Sequence, residues 1–114
     1  MADNRINRVF IETPTFTKTI TGLLTDDEYR LLQNELTQNP DAGDLIPGGG
    51  GIRKIRFAVQ GKGKRGGGRL IYYWQMSKDR VFMLAAYTKA KKTDLDPEQA
   101  AFFKTLVKEL ERHG

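Results

Sequence analysis

The sequence predicts an α+β protein: a mostly antiparallel four-stranded sheet with an N-terminal helical hairpin and a C-terminal helix. Three observations predict it. Residues 52–75 hold two alternating runs joined by a glycine-rich basic stretch, the pattern of a long β-hairpin. Thr25-Asp26-Asp27-Glu28 and Asp96-Pro97-Glu98-Gln99 are helix starts, each ahead of apolar residues at helical spacing. The run from Val81 to Tyr87 is apolar on both faces, as a central strand would be. Strands and helices in this order make a segregated α+β arrangement.

Each element has its own local reason. Residues 1–7 are polar and expected to fray. Arg8 to Glu12, with Val9, Phe10 and Ile11, reads as a short strand. Thr13-Pro14 fits a helix start, because proline is tolerated in the first turn. Phe16, Ile20 and Leu23 or Leu24 then recur at helical spacing, giving a helix to about Thr21 that Gly22 can end. In the second helix Thr25 and Glu28 form a capping box, and Asp26 and Asp27 suit the positive end of its dipole. Tyr29, Leu32 and Leu36 form its apolar stripe, flanked by Leu31, and Asn39-Pro40 stops it. Tyr29 is expected to pack rather than react. Asp41 to Gly51 reads as a loop whose four consecutive glycines, Gly48 to Gly51, permit positive φ. It is no phosphate-binding P-loop: the Gly-Lys-Ser/Thr ending is absent and no helix follows.

The hairpin comes next. Ile55, Phe57 and Val59 point one way; Lys54, Arg56 and Ala58 point the other. Across the turn, Leu70, Tyr72 and Trp74 share one face, and Arg69, Ile71 and Tyr73 the other. Tyr72 and Trp74 are assigned to the core. Ser77 to Arg80 is a tight turn, and Thr88 to Asp94 a basic linker. In the last helix Asp96 caps, Pro97 takes the first position, and Phe102 or Phe103, Leu106, Val107 and Leu110 form the buried stripe.

The 114 residues suffice for one domain with its own core. There is no cysteine and one histidine, His113, next to the end. Disulfides, thiolate metal sites, histidine metal sites and a histidine-pair nuclease are therefore excluded, and no cofactor is expected. No apolar run approaches the roughly 18 residues of a membrane span, and no signal-peptide core is seen, so a cytoplasmic location is expected. The net charge is +5. It is gathered unevenly: residues 53–92 hold twelve cations and one acid, a net +11, while the rest hold seven cations and thirteen acids, a net −6. Lys54, Arg56 and Arg69 recur at same-face positions of neighbouring strands. Plain solubility charge does not ask for that, and a polyanionic partner does.

RNA can be cut by its own 2′-hydroxyl attacking the adjacent phosphate. A protein must then take a proton, stabilise the phosphorane and protonate the leaving 5′-oxygen. Without a usable histidine, a lysine crowded by like charge suits the base, and Lys54 lies between Arg53 and Arg56 and faces Arg69. Arg56 and Arg69 suit the phosphate oxygens.

The Thr25–Tyr29 capping segment, the Gly-Gly-Ile-Arg-Lys-Ile-Arg stretch at 50–56, the Gly-Lys-Gly-Lys-Arg-Gly-Gly turn at 61–67, Arg69-Leu-Ile-Tyr-Tyr73, Tyr87-Thr-Lys89 and Lys92-Thr-Asp-Leu95 together resemble the RelE/ParE toxin superfamily. The closest resemblance is to its HigB-like branch, over about nine-tenths of the chain. It implies a RelE-like fold and a toxin that enters the ribosomal A site, cuts mRNA and is neutralised by a cognate HigA-like antitoxin. By that resemblance Lys54 and Arg56 match the paired basic positions of the second strand, and Arg69 the arginine of the third.

RelE proper also carries an arginine just after the last strand and a tyrosine near the C-terminus that stacks on the scissile base. This chain has Lys89-Ala90-Lys91 and Leu95-Asp96 at about those places. Lys89, Lys91 or Lys92 is left to supply the charge, and Tyr73 or Tyr87 the stacking surface. Arg53, Lys62, Lys64 and Arg65 complete the expected RNA contacts. Two other readings stay open: a ParE-like inhibitor of DNA gyrase, and a non-catalytic RNA-binding domain.

Overall fold

The computed structural model describes residues 8–59, 67–88 and 95–113. In chain order the elements are β1 (Val9–Glu12), α1 (Pro14–Leu23), α2 (Asp26–Gln38), β2 (Asp44–Leu45), β3 (Arg53–Val59) and β4 (Gly67–Gln75). A 3-10 turn, Met76–Lys78, then leads to β5 (Arg80–Thr88) and α3 (Pro97–His113).

The sheet departs from the four antiparallel strands expected. It has five strands in the order β1-β5-β4-β3-β2, and β1 runs parallel to β5, with Phe10 beside Val81 and Ile11 beside Phe82. The fifth strand is β2, two exposed residues inside the stretch read as a loop, pairing Asp44 with Lys54 and Leu45 with Arg53. Two residues are too few for a period to show. The parallel pairing joins segments about seventy residues apart, which no local pattern reports.

Both helix starts form as their side chains dictate. The Thr25 N–H donates to Glu28 Oε1 (2.8 Å) and the Glu28 N–H to Thr25 Oγ1 (3.2 Å). The Gln99 N–H donates to Asp96 Oδ1 (2.8 Å), and the Asp96 N–H to Gln99 Oε1 (3.2 Å). α1 does not stop at Gly22. It continues to Leu23, and the Leu24 N–H still bonds the Ile20 carbonyl (2.9 Å). Leu24 is a core residue, so the chain reverses only after placing it.

Helices cover both faces of the sheet. On one, Phe16 and Ile20 of α1 and Leu32 and Leu36 of α2 pack on Ile55, Phe57, Leu70, Tyr72, Val81 and Met83. Tyr72 is fully buried, and burial raises its phenol above the ordinary range. Its hydroxyl donates to the Pro40 carbonyl (2.8 Å) and accepts from the Gly43 N–H (2.9 Å). On the other face Val107 of α3 packs with Ile52, Ile71, Phe82 and Leu84, and Phe103, Leu106 and Leu110 join at the margin. Phe102 stays exposed.

Two backbone features position the functional face. Gly68 belongs to β4, paired with Phe57, and a Cβ there would lie 2.2 Å from the Phe57 ring, so the ring lies over the glycine. Between β4 and β5 the register shifts: Ile71 pairs with Ala85 but Tyr72 with Met83, leaving Leu84 as the extra residue of a bulge. Val81 and Met83 face the helical hairpin. Beyond the bulge Ala86 takes that side, while Ala85 and Tyr87 join Phe82 and Leu84 on the other.

Candidate functional site

Three strands bring Arg56, Arg69 and Tyr87 into one row. Arg69 of β4 lies opposite Arg56 of β3 and opposite Tyr87 of β5. Directly opposite residues share a face, at roughly 5 Å between Cβ atoms. Lys54 is two residues from Arg56 on the same face, about 7 Å along the strand. It heads a second row through Asp44, Ile71 and Ala85. Tyr87 enters this face only because of the bulge at Leu84. An unbroken alternation from Val81 would turn it toward the helical hairpin.

The exposure of these side chains is graded. Arg56 is exposed, Lys54 and Tyr87 are half-buried, and Arg69 is 6% exposed. One Arg69 hydrogen bond goes from Nη1 to the Gly68 carbonyl (3.1 Å). A guanidinium so placed is held by the sheet, and its charge acts through a medium that screens less than water. Two like charges directly across a strand pair also oppose one another. The face is therefore electrostatically suited to an anion.

Not every expected contact residue joins this row. Arg53 pairs with Tyr72 and so points to the opposite side of the sheet, where its Nη1 donates to the Gly43 carbonyl (2.8 Å). Tyr73 shares the face of Arg69 but lies four residues further along β4. Its ring stacks on Phe82 (6.4 Å between centroids) and its hydroxyl donates to Glu111 of α3. Burial first, and the Glu111 carboxylate second, push the Tyr73 phenol up to about 12. Glu111 is held below the ordinary carboxylate range by that bond and by Gln75 Nε2 (3.2 Å). Tyr73 thus fastens the last helix to the sheet. Lys62, Lys64, Arg65, Lys89, Lys91 and Lys92 lie outside the described residues.

Asp44 is the member that sequence reasoning missed. It sits beside Lys54 in β2, within a stretch whose glycines and proline read only as loop. Among the described residues, no three acidic, histidine or cysteine side chains gather closely enough to hold a metal ion. Nor is any described helix long and apolar enough to cross a membrane.

Comparison with known proteins agrees with this architecture. Two solved E. coli structures share the fold. One is a double arginine-to-alanine mutant of the toxin RelE in the free state (19% identity, TM-score 0.54, covering 75% of this chain and 87% of that one). The other is the intact RelBE toxin–antitoxin complex (20% identity, TM-score 0.52, covering 70% of this chain and 94% of the matched one). The model of the family described as RelE toxin of the RelE/RelB toxin–antitoxin system matches residues 7–113, nearly the whole sequence. On that match the chain belongs to the RelE toxin family.

Proposed function

We propose that this toxin is a metal-independent, ribosome-dependent endoribonuclease that cuts mRNA in the A site and so arrests translation in the cytoplasm. The observation that supports it is the row Arg56–Arg69–Tyr87 with Lys54 beside it: fixed positive charge, one amine and one aromatic ring on a single sheet face. In this reading the 2′-oxygen attacks the phosphorus and the bond to the 5′-oxygen breaks. Lys54 takes the 2′-hydroxyl proton, and Arg56 holds the phosphate oxygens from the exposed side. Arg69 stabilises the added negative charge from within the sheet, and Tyr87 offers its ring to a base. Lys89, just beyond β5, is the candidate donor to the leaving 5′-oxygen. The products are a 2′,3′-cyclic phosphate and a 5′-hydroxyl. A site with charge but no strong acid–base pair depends on the ribosome to hold the mRNA in a reactive geometry.

The natural partner in this reading is an antitoxin of the HigA kind, covering the cations or blocking ribosome entry by its bulk. The test is translation on programmed ribosomes, with the mRNA ends mapped. Cleavage within the A-site codon, absent on free RNA and abolished by antitoxin, is expected. Intact mRNA with stalled ribosomes would replace this reading with RNA binding alone, and intact mRNA with inhibited DNA gyrase would replace it with a ParE-like activity.

A further inference from the structure

A cleft of about 340 Å³ opens beside Lys54 at the edge of the sheet. Its sheet side includes Asp44, Pro47 and Lys54, and its helix side includes Leu95, Pro97 and Ala100. We propose that this cleft receives one nucleobase of the RNA strand bound on the cation row, and that Asp44 selects bases carrying an amino group. The inference rests on the proposed function for the presence of that strand.

Placement comes first. Asp44 is the cross-strand partner of Lys54, so both share the face of Arg56 and Arg69. Lys54 belongs to the cation site and to the cleft wall at once. A strand whose phosphate rests on Arg56 and Lys54 has its neighbouring base within reach of the cleft. The walls come second. Pro47, Leu95, Pro97 and Ala100 are apolar, two of them rigid rings, and the helix side is fixed by the Asp96–Gln99 cap. The volume is at the small end for ligand pockets, which start at about 300 Å³, and so suits a single base.

The polar group decides which base. Asp44 and Asp96 are both exposed, but Asp96 is engaged as the helix cap through the Gln99 N–H, whereas Asp44 sits across the strand pair from Lys54. A carboxylate only accepts hydrogen bonds. Adenine and cytosine each present an amino group on the pairing edge, and guanine an imino and an amino group. Uracil presents one N–H between two carbonyl oxygens, both of which a carboxylate repels. Uracil should therefore be the disfavoured occupant.

The probes are short single-stranded RNAs of one length, differing at one base, titrated against the full-length protein at fixed salt. The parental protein should bind the cytosine and adenine RNAs at least about fivefold more tightly than the uracil RNA. Asp44→Asn, a surface change of the same shape, should erase that ratio. Pro47→Phe, which narrows the cleft from an exposed position, should weaken all the RNAs together while the melting temperature stays near the parental value. Equal binding of all bases by the parental protein, or an unchanged ratio in Asp44→Asn, would overturn the proposal. A base preference that depends on Asp44, in a protein that leaves mRNA uncut on ribosomes, would support the cleft and overturn the nuclease.

Discussion

Thr13 Oγ1 donates a hydrogen bond to the Leu84 carbonyl oxygen at 2.9 Å, and so ties the start of the first helix to the bulge in β5. The same oxygen accepts the Phe16 N–H at 3.1 Å as the cap of α1. A bulge leaves a backbone carbonyl without its ladder partner, and this hydroxyl supplies one. The bulge in turn sets Tyr87 beside Arg69. Thr13→Val, which keeps the shape and loses the hydroxyl, should cost about 1–3 kcal/mol in chemical denaturation. Thr13→Ser should recover most of it. If Val and Thr melt alike, the hydroxyl does not hold the bulge.

Gly68 is a packing position rather than a turn. Gly68→Ala places a methyl in the Phe57 ring and should cost about 1–3 kcal/mol. Because the three nearest atoms all belong to that ring, the pair Gly68→Ala and Phe57→Leu should be less destabilised than the sum of the single changes. Strict additivity in a double-mutant cycle would show the two residues to be independent.

What the sequence made legible is what short spacing encodes. Both capping boxes join residues three apart, so their chemistry is written in four consecutive letters. The alternation in β3 and β4 shows which cations share a face, and Arg56 and Arg69 do meet across the strands. The same alternation sends Arg53 to the other face, a consequence that counting basic residues obscures. Strand β1 is legible, but its parallel pairing with β5, the bond from Thr13 to Leu84 and the pairing of Asp44 with Lys54 depend on partners brought together only by the fold. The bulge leaves no trace because Val81 to Tyr87 is apolar on both sides, so an extra residue breaks no pattern. A charged residue is expected at the surface, and the burial of Arg69 runs against that expectation.

The Tyr73–Glu111 contact predicts a stability window bounded on two sides. Glu111 titrates below its ordinary value in the folded chain, so its contribution is present above about pH 4.5 and fades as pH falls through the folded value. Tyr73 titrates above its ordinary 10.0, at about 12, so its contribution is present below pH 10 and is lost as pH rises toward 12. Tyr73→Phe should lower stability at neutral pH by about 1 kcal/mol or less, because the Glu111 end of the pair is solvent-exposed. It should also flatten the dependence on pH at both ends. Urea titrations from pH 3 to 7 read the acid limb. Identical slopes for Tyr73→Phe and the parental protein there would dissociate Tyr73 from Glu111.

The concentration of charge in residues 53–92 predicts a steep salt dependence. A protein that displaces several counterions from RNA loses affinity linearly on a double logarithmic plot, with a slope of about −0.7 per phosphate contact on a single strand. Lys54→Gln and Arg56→Gln should each make that slope shallower by about one contact. Binding that is flat between low and high ionic strength would mean that this face does not meet a polyanion.

Arg69 allows charge to be separated from packing. Because the side chain is 6% exposed, truncation to alanine removes volume as well as charge, and a loss of activity would be ambiguous. Arg69→Met keeps most of the volume and removes the charge together with the hydrogen bond to the Gly68 carbonyl. Arg69 and Arg56 repel across the strand pair, so losing one charge relieves that repulsion, while losing the bond to the Gly68 carbonyl acts the other way. Arg69→Met should therefore stay folded, with stability changed by no more than about 1–3 kcal/mol. Cleavage on programmed ribosomes should fall by about 10²–10³, the usual loss when one transition-state electrostatic contact is removed. Arg69→Lys should also be impaired, because an ammonium cannot reproduce the planar fork. Parental cleavage by a stably folded Arg69→Met would remove Arg69 from the proposed site and leave the chemistry to Lys54 and Arg56. A folded but inactive Arg69→Met, with RNA affinity reduced far less than rate, would place its charge at the transition state rather than in ground-state binding.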